Sequence, residues 1–473
     1  MALPVDLISN IINNRVWQKY KTPAWGHGRR VQAENASPAG KTVIKHVKTE
    51  SWTVKGKKMI EIRKLNCGLR MVLDKIPYVE SATAGIWVKA GAVNEDDTTR
   101  GISHFIEHMM FKGTGSRSAR QIASDIDALG AQINAFTSKE NTCYYVRSLS
   151  STLDKACDIL IDMMTDSQFD PEEMKKEKQV VKEEIKMVED TPEDDVQDML
   201  YEVLFKGEPL SGSILGTPEH LDTYTHDDLK NYIAKEYSLD HIVVSIAGNF
   251  DEDAVCAQFE NKLSCMTAVK KDPETVKSVY VPSFAGKVKD IEQTHICLGT
   301  RALSFDHKDT YVLNILNNIM GGSMSSRLFQ NIREEKGMAY TVYSYTASLD
   351  KAGFYAISAG VAHDKVEDTV KAIREELDTL ASGGVTDKEL EISRQQIKGG
   401  LVFGLESTSS RMVLNGKYAL FRNRCRTAEE VIKAIDSVTP DDIKRVAGMI
   451  TDVSTYSGSI ISRRDIDLAA LLK

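Results

Sequence analysis

Two histidines and a glutamate lie close together in the segment HFIEH, residues 104 to 108. Positions four apart share one face of an α-helix, so the imidazoles of His104 and His108 could bind one metal ion. Two imidazoles favour zinc, and a catalytic zinc site needs a third protein ligand and a water molecule. Glu107 projects near the same face, where its carboxylate could accept a proton from that water. The order HxxEH reverses HExxH and is a known catalytic motif, whereas the alternative is a helix that carries two surface histidines by chance.

The composition narrows the class of protein and the kind of metal site. Apolar residues make up 42% and charged residues 27%, which is ordinary for a globular protein. The net charge of −8 does not favour nucleic-acid binding, and without a run of eighteen apolar residues we expect no membrane span. The seven cysteines are scattered and never spaced as CxxC. They predict a reduced, cytoplasmic protein, and they favour a metal site built from histidines and carboxylates.

Residues 1–58 differ from the rest of the chain. They contain three of the four tryptophans, eleven Lys or Arg against three acids, and little apolar periodicity. One interpretation is a translated stretch upstream of the true start at Met59, and another is a disordered basic tail. A mitochondrial transit peptide, and with it a mitochondrial location, is less favoured because the stretch is rich in Lys rather than in Arg and Ser.

Strand and helix patterns alternate from Met59 onward. Residues 99–113 have helical apolar spacing, which places HFIEH on a helix. Residues 133–149 predict two strands around a polar turn. Residues 171–188 predict a helix, with Asp170 as N-cap and Pro171 at its first position.

The same order of patterns recurs in the second half of the chain. A strand pattern at 292–300 and a helical pattern at 310–320 correspond to those at 81–91 and 99–113. We therefore predict two copies of one α+β unit of roughly 200 residues, joined by the Lys-rich stretch 266–289. The alternative is ordinary α+β alternation without duplication.

Three segments in one order carry a resemblance to a known family: GISHFIEHMMFKGT, VVKEEIKMVED and GGSMSSRLFQNIREEKGMAYTVYSY. From about Met59 to Ser462 the chain resembles the pitrilysin family of zinc peptidases, which includes insulin-degrading enzyme. It is most similar to the short bacterial members that resemble the mitochondrial processing peptidase β subunit. The resemblance implies one zinc ion per chain and hydrolysis of internal bonds in extended or unstructured peptides.

The resemblance also implies the third zinc ligand. In the family a glutamate follows the second histidine by about 75 residues, and Glu184, with 75 residues between it and His108, is the match. The adjacent Glu183 is the rival. Glu177, seven residues before Glu184, matches an acid that supports the ligands in the family, and the two share one helix face while Glu183 is turned by about 100°. A solvated charge is the alternative for Glu177.

Further site residues come from the resemblance alone. Asn134 and Ala135 match the family's substrate-binding strand, whose exposed edge pairs with an extended peptide. The second half lacks HxxEH but carries Arg333 and Tyr340, spaced as in the family's pair. The resemblance implies that Arg333 holds substrate carbonyls and that Tyr340 donates a hydrogen bond to the developing oxyanion. Taken alone, Arg333 would be a surface charge, Tyr340 a residue at the edge of the core, and residues 133–137 an ordinary edge strand.

The sequence thus predicts an α+β protein of two duplicated domains, each a mainly antiparallel sheet with helices on one face, closed like a clam shell. Residues 59–275 form the zinc-bearing catalytic domain and residues 276–473 the metal-free domain that contributes substrate contacts. We expect a zinc metalloendopeptidase with a peptide substrate, no nucleic acid and no membrane, as a monomer, homodimer or heterodimer. The alternative is a non-catalytic or partner-dependent subunit of a complex resembling the processing peptidase.

Overall fold

The computed structural model describes residues 48–54, 57–266 and 279–472, and it is organised around two sheets of seven and five strands. The predicted extension 1–58 falls mostly outside the described residues, although strand β1 lies within it. The predicted domain limits at 59, 275 and 276 stay predictions.

The first half contains the seven-stranded sheet and eight α-helices among its described residues. Its strands are β1 (Lys48–Val54), β2 (Lys57–Lys64), β3 (Arg70–Lys75), β4 (Ser81–Val88), β5 (Gln132–Thr137), β6 (Thr142–Leu149) and β7 (Ile242–Gly248). Its helices are α1 (Ile102–Met109), α2 (Ala119–Ala128), α3 (Leu153–Asp166), α4 (Pro171–Glu189), α5 (Pro192–Leu204), α6 (Pro218–Thr223), α7 (His226–Glu236) and α8 (Glu252–Leu263).

The second half contains the five-stranded sheet. Its strands are β8 (Phe284–Val288), β9 (Thr294–Arg301), β10 (Ala339–Ser348), β11 (Gly353–Val361) and β12 (Ser457–Ser462). Its α-helices are α9 (Thr310–Met320), α10 (Val366–Gly383), α11 (Asp387–Gly404), α12 (Thr408–Arg422), α13 (Ala428–Asp436), α14 (Pro440–Ile450) and α15 (Leu468–Leu472), and a π-helical turn spans Phe329–Glu335.

The two sheets have the same topology, which confirms the predicted duplication. The first runs β3-β7-β4-β6-β5 after β1 and β2, and the second runs β8-β12-β9-β11-β10. In each, one parallel pair, β3 with β7 or β8 with β12, stands beside antiparallel pairs. Each half also has its own large apolar core between the sheet and its helices, so the α+β class is confirmed as well.

The opposite face of each sheet carries one helix from the other half, which adds a layer to the predicted arrangement. Helix α5 of the first half packs on β9 and β12, and helix α12 of the second half packs on β3, β4 and β7. Met412 and Gly416 of α12 lie against Trp87, so closely that a Cβ on Gly416 would be 2.2 Å from the indole nitrogen. The halves therefore share their cores through exchanged helices.

Polar contacts across the halves accompany the exchanged helices. The buried Asp74 accepts hydrogen bonds from Arg411 at 3.1 Å and from Asn415 at 3.1 Å, both on α12. The turn that joins β5 to β6 meets the turn that joins β10 to β11, where both carboxylate oxygens of Glu140 accept from the Asp350 backbone N–H at 2.9 Å. Removing one partner of such a buried polar contact destabilises the folded protein.

No helix in the described part of the chain combines the length and the apolarity that crossing a bilayer would require.

Candidate metal centre

Helix α1 carries the HFIEH segment, and its start is tightly fixed. Gly101 precedes it with φ of +86°, and a Cβ there would lie 2.5 Å from the Leu215 carbonyl oxygen, so only glycine fits. The buried Glu95 carboxylate accepts from the backbone N–H groups of Gly101 at 2.7 Å and Ser103 at 3.0 Å. A carboxylate at a helix N-terminus satisfies open donors and complements the helix dipole. All eight residues of the helix are buried, which fixes the side chains that follow.

The structure brings the three predicted ligands together. One donor atom each from His104, His108 and Glu184 lies within 4.8 Å of the others. The Oε2 atom of Glu184 is 3.4 Å from Nε2 of His108 and 3.9 Å from Nε2 of His104. The rival Glu183 is 71% exposed and pairs with Lys186 at 2.7 Å on the outer side of α4. Helix rotation therefore places Glu184, and not Glu183, beside the two histidines, while its role as the third ligand stays a prediction.

Glu177 lies behind the cluster. Its Oε1 atom is 2.8 Å from Nδ1 of His108, and its Oε2 atom is 2.5 Å from Nζ of Lys112. Burial opposes ionisation of Glu177, but the hydrogen bonds and charges of His108 and Lys112 outweigh it and lower the pKa of the carboxyl. A carboxylate that accepts from Nδ1–H leaves Nε2 of the imidazole as a lone-pair donor on the side of Glu184.

The electrostatics of the cluster suit a cation. Burial lowers the pKa of His108, but the carboxylates of Glu177, Glu184 and Glu107 raise it, with a net result of about 9. The surroundings thus favour positive charge on or beside this imidazole. Two imidazole nitrogens and one carboxylate form the donor set of catalytic zinc sites, so the residues present fit zinc.

Glu107 lies on the same helix and is only 3% exposed. Its Oε2 atom accepts a hydrogen bond of 2.7 Å from Oγ1 of Thr137, the last residue of β5. The predicted proton acceptor is therefore buried next to His108 and hydrogen-bonded to the neighbouring strand.

Strand β5 forms the outer edge of the first sheet, since β6 is its single neighbour in the strand order. Asn134 and Ala135 both lie on it, and the Asn134 side chain accepts from the Ala135 N–H at 2.9 Å. The edge position agrees with the predicted peptide-pairing strand, while the role itself stays a prediction.

The other two predicted residues lie on the second half. The Arg333 guanidinium lies 4.8 Å from the centre of the Phe329 ring and 3.8 Å from Glu334, so its contacts are within its own helical turn. Tyr340 is 70% exposed near the start of β10, the edge strand of the second sheet. The described contacts do not join either residue to the cluster.

A cavity of about 200 Å³ lies between the two halves, and Thr137 is one of the residues that line it. Lys139, Asp198 and Tyr201 line it from the first half and Lys417 from the second. Lys139 donates to the Gly212 carbonyl at 2.6 Å and lies 4.5 Å from the centre of the Tyr201 ring. Both halves therefore line one cavity, which includes the residue that donates a hydrogen bond to Glu107.

Three residues that contact the candidate site could not be identified from sequence patterns: Glu95, Lys112 and Thr137. Glu95 and Lys112 flank HFIEH, yet nothing in their spacing distinguishes them from surface charges. Thr137 belongs to the predicted strand, but its hydroxyl meets Glu107 only because β5 folds back against α1.

Comparisons with known proteins cover most of the chain. A family model described as Insulinase (Peptidase family M16) matches residues 70–218, and one described as Peptidase M16 inactive domain matches residues 223–397. An uncharacterized zinc protease of Bacillus subtilis (strain 168), YmxG, is 42% identical over 405 residues, which are 85% of this chain and 98% of that protein. An uncharacterized zinc protease of Streptomyces coelicolor is 38% identical over 395 residues, 80% of this chain and 84% of its own.

Two solved structures share the fold. A protease from Helicobacter pylori superimposes with a TM-score of 0.77 at 22% identity, covering 85% of this chain and 99% of that one. A Peptidase M16 inactive domain from Pseudomonas fluorescens gives a TM-score of 0.79 at 18% identity, covering 86% and 98%. At these identities the likeness shows the fold alone.

Proposed function

The chain belongs to the insulinase family of peptidases, family M16, and on this basis we propose that it is a zinc metalloendopeptidase that hydrolyses internal bonds of extended or unstructured peptides. The zinc-protease names of its relatives support the metal and the class of reaction. The observation that carries the proposal is the convergence of His104, His108 and Glu184 on one point beside the buried Glu107.

His104, His108 and Glu184 would hold the zinc ion, with Glu177 fixing the ring of His108. Zinc, when bound, supplies a Lewis acid that polarises the scissile carbonyl and acidifies a water molecule. Glu107 accepts the proton from the attacking water and later delivers it to the leaving amine. Its burial excludes bulk water, so that the carboxylate keeps the proton within the site.

The remaining residues act on the substrate. The edge of β5 at Asn134 and Ala135 pairs with the backbone of an extended peptide, which favours unfolded segments over folded ones. Tyr340 donates a hydrogen bond to the developing oxyanion, and Arg333 holds a substrate carbonyl. Because these two residues lie on the second half, closure of the halves around the peptide completes the site and can limit turnover.

The test compares the wild type with Glu107→Gln and Glu183→Gln, using zinc analysis and a quenched peptide substrate. Glu107→Gln is expected to retain zinc and to lose cleavage by about 10²–10⁴-fold, since it removes the base and leaves the ligands. Glu183→Gln changes the exposed neighbouring acid and should retain both properties. Equal cleavage by the wild type and Glu107→Gln would refute the peptidase proposal.

A second candidate is a partner-dependent subunit, which the match of residues 223–397 to an inactive-domain model favours. In that case the purified chain would bind zinc and cleave no peptide until a second subunit is added. Gel filtration with the cleavage assay distinguishes a monomer, a homodimer and an inactive lone subunit. We propose a reducing, cytoplasmic setting, which agrees with seven free cysteines.

A further inference from the structure

Thr137 connects the proton acceptor to the edge strand. Its side chain is 4% exposed, and its Oγ1 lies 2.7 Å from Oε2 of Glu107. Glu107 lies on helix α1 and Thr137 on strand β5. This contact is therefore a direct polar link between the HFIEH helix and the strand proposed to bind the peptide.

The direction of the hydrogen bond follows from its neighbours. Thr142, opposite Thr137 in the β5–β6 register, donates its own hydroxyl proton to the Ala90 carbonyl at 2.9 Å. The Thr137 hydroxyl is 3.5 Å from that of Thr142 but 2.7 Å from the carboxylate of Glu107. An ionised carboxylate only accepts, so the single proton of Thr137 is directed at Oε2.

We infer that Thr137 is a positioning residue: its hydroxyl holds the Glu107 carboxylate in the orientation that proton transfer requires and links that orientation to strand β5. The inference rests on the proposed peptidase function, in which Glu107 is the base. A hydrogen bond from one fixed donor lowers the fraction of molecules in which the carboxylate of the base adopts an unproductive rotamer. Small displacements of catalytic groups strongly reduce reaction rates.

The second half provides a comparable contact away from the cluster. Ser344 of edge strand β10 donates to Oδ1 of Asn317 on helix α9 at 2.8 Å, and both residues are buried. An edge-strand hydroxyl that only secures a helix is therefore available as a control, because Ser344→Ala removes such a contact without touching Glu107.

The test uses Thr137→Val, which keeps the shape and removes the hydroxyl, and Thr137→Ser, which keeps the hydroxyl. Thr137→Val is expected to lower kcat by about 10–100-fold, with KM, zinc content and the Kd of an uncleavable peptide within about twofold of the wild type. Thr137→Ser is expected to restore most of kcat, and Ser344→Ala to leave kcat unchanged. Wild-type kcat in Thr137→Val, or parallel losses of kcat, zinc and peptide affinity, would overturn the inference.

Urea unfolding of the zinc-free protein supplies a readout that does not depend on cleavage. The wild type, Thr137→Val, Glu107→Ala and the double variant form a mutant cycle, and the shifts in the unfolding midpoint are expected to be non-additive. Additive shifts would show that Thr137 does not hold Glu107 and would overturn the inference. Absence of cleavage by the wild type would instead refute the proposed function, and the cycle would still decide whether Thr137 holds this carboxylate.

Discussion

Helices α1 and α9 occupy the same place in the two halves but carry different polar residues. Helix α1 follows strand β4, which pairs with β7, and helix α9 follows strand β9, which pairs with β12. Strands β7 and β12 are the last strands of their sheets along the chain. The first contains HFIEH at 104–108 and the second NILNN at 314–318. Polar residues stand at the first, fourth and fifth positions of both segments, so His104, Glu107 and His108 correspond to asparagines in the second copy.

Helices α4 and α11 differ in the same way. Glu177 and Glu184 are the seventh and fourteenth residues of α4, and the same positions of α11 hold Ser393 and Gly400. Ser393 donates to the Ile315 carbonyl at 3.1 Å, and Gly400 is buried. The second copy thus lacks a carboxylate at both positions.

The same fold therefore holds a buried cluster of ionisable side chains in one half and neutral amides at the corresponding positions of the other half. Asn314, Asn317 and Asn318 are at most 9% exposed, and Asn317 is held by Ser344. Neutral amides need hydrogen bonds but no counter-charge, whereas buried carboxylates and imidazoles need a cation to balance them. The second half needs no such cation, which agrees with the proposal that it contributes substrate contacts instead.

The largest expected effect concerns Glu184, the proposed ligand that has no counterpart in the second half. Glu184→Ala is expected to abolish stoichiometric zinc binding and to lower cleavage by about 10³-fold or more, since the Lewis acid is gone. Glu183→Ala, its exposed neighbour, should keep both zinc and cleavage. Atomic absorption and the peptide assay measure the pair, and zinc loss in the Glu183 variant alone would reverse the assignment.

The second-largest expected effect tests whether the second half takes part in catalysis. Tyr340→Phe is expected to lower kcat by about 10²-fold with little change in zinc content, because it removes one donor to the oxyanion. Tyr78→Phe, at an exposed tyrosine of the first half, serves as the control. Unchanged kcat in Tyr340→Phe would limit catalysis to the first half.

A smaller effect is expected at Glu177, which contacts the proposed zinc ligand His108. Glu177→Gln weakens the hold on Nδ1 of His108, and zinc affinity is expected to fall by about 10–100-fold in competition with a chelator. Ser393→Ala, at the equivalent position of α11, should leave zinc affinity unchanged. An unchanged affinity in Glu177→Gln would make this acid a bystander.

The smallest effect lies where the two hairpin turns meet. Burial raises the pKa of Glu140 to about 7, against the opposing influence of the Asp350 N–H and Lys417. The folded state therefore holds this proton more tightly than the unfolded chain, so the free energy of unfolding falls as pH rises from about 4.5 to 7. Between pH 5 and 8 the wild type should lose about 2–3 kcal/mol more than Glu140→Gln in urea unfolding. Equal losses would show that Glu140 does not carry this pH dependence, and the exposed Glu183→Gln should behave as the wild type.

Part of the candidate site can be predicted from the sequence because its residues are close to one another along the chain. Helix periodicity puts His104 and His108 on one face. Glu184 and Glu177 are implied by the family resemblance, and their spacing of seven residues favours Glu184 over Glu183. The duplicated order of strands and helices likewise predicts the fold. These features depend on short-range geometry that residue spacing encodes.

The parts that escape prediction depend on long-range packing. Thr137 meets Glu107 through the return of β5 onto α1, and Glu95 caps a helix six residues downstream. The exchange of α5 and α12 escapes because both have ordinary amphipathic patterns, which state that a face is buried and not which sheet covers it.

The exchanged helices have an evolutionary consequence. If the ancestral unit was a single copy with this topology, its α5-type helix would have covered the sheet of a twin, as in a domain-swapped homodimer. Such a dimer would have had two identical metal sites. Joining the genes end to end would preserve the swap within one polypeptide and would free one of the two sites to drift. Neither half, expressed by itself, should then be a self-sufficient folding unit.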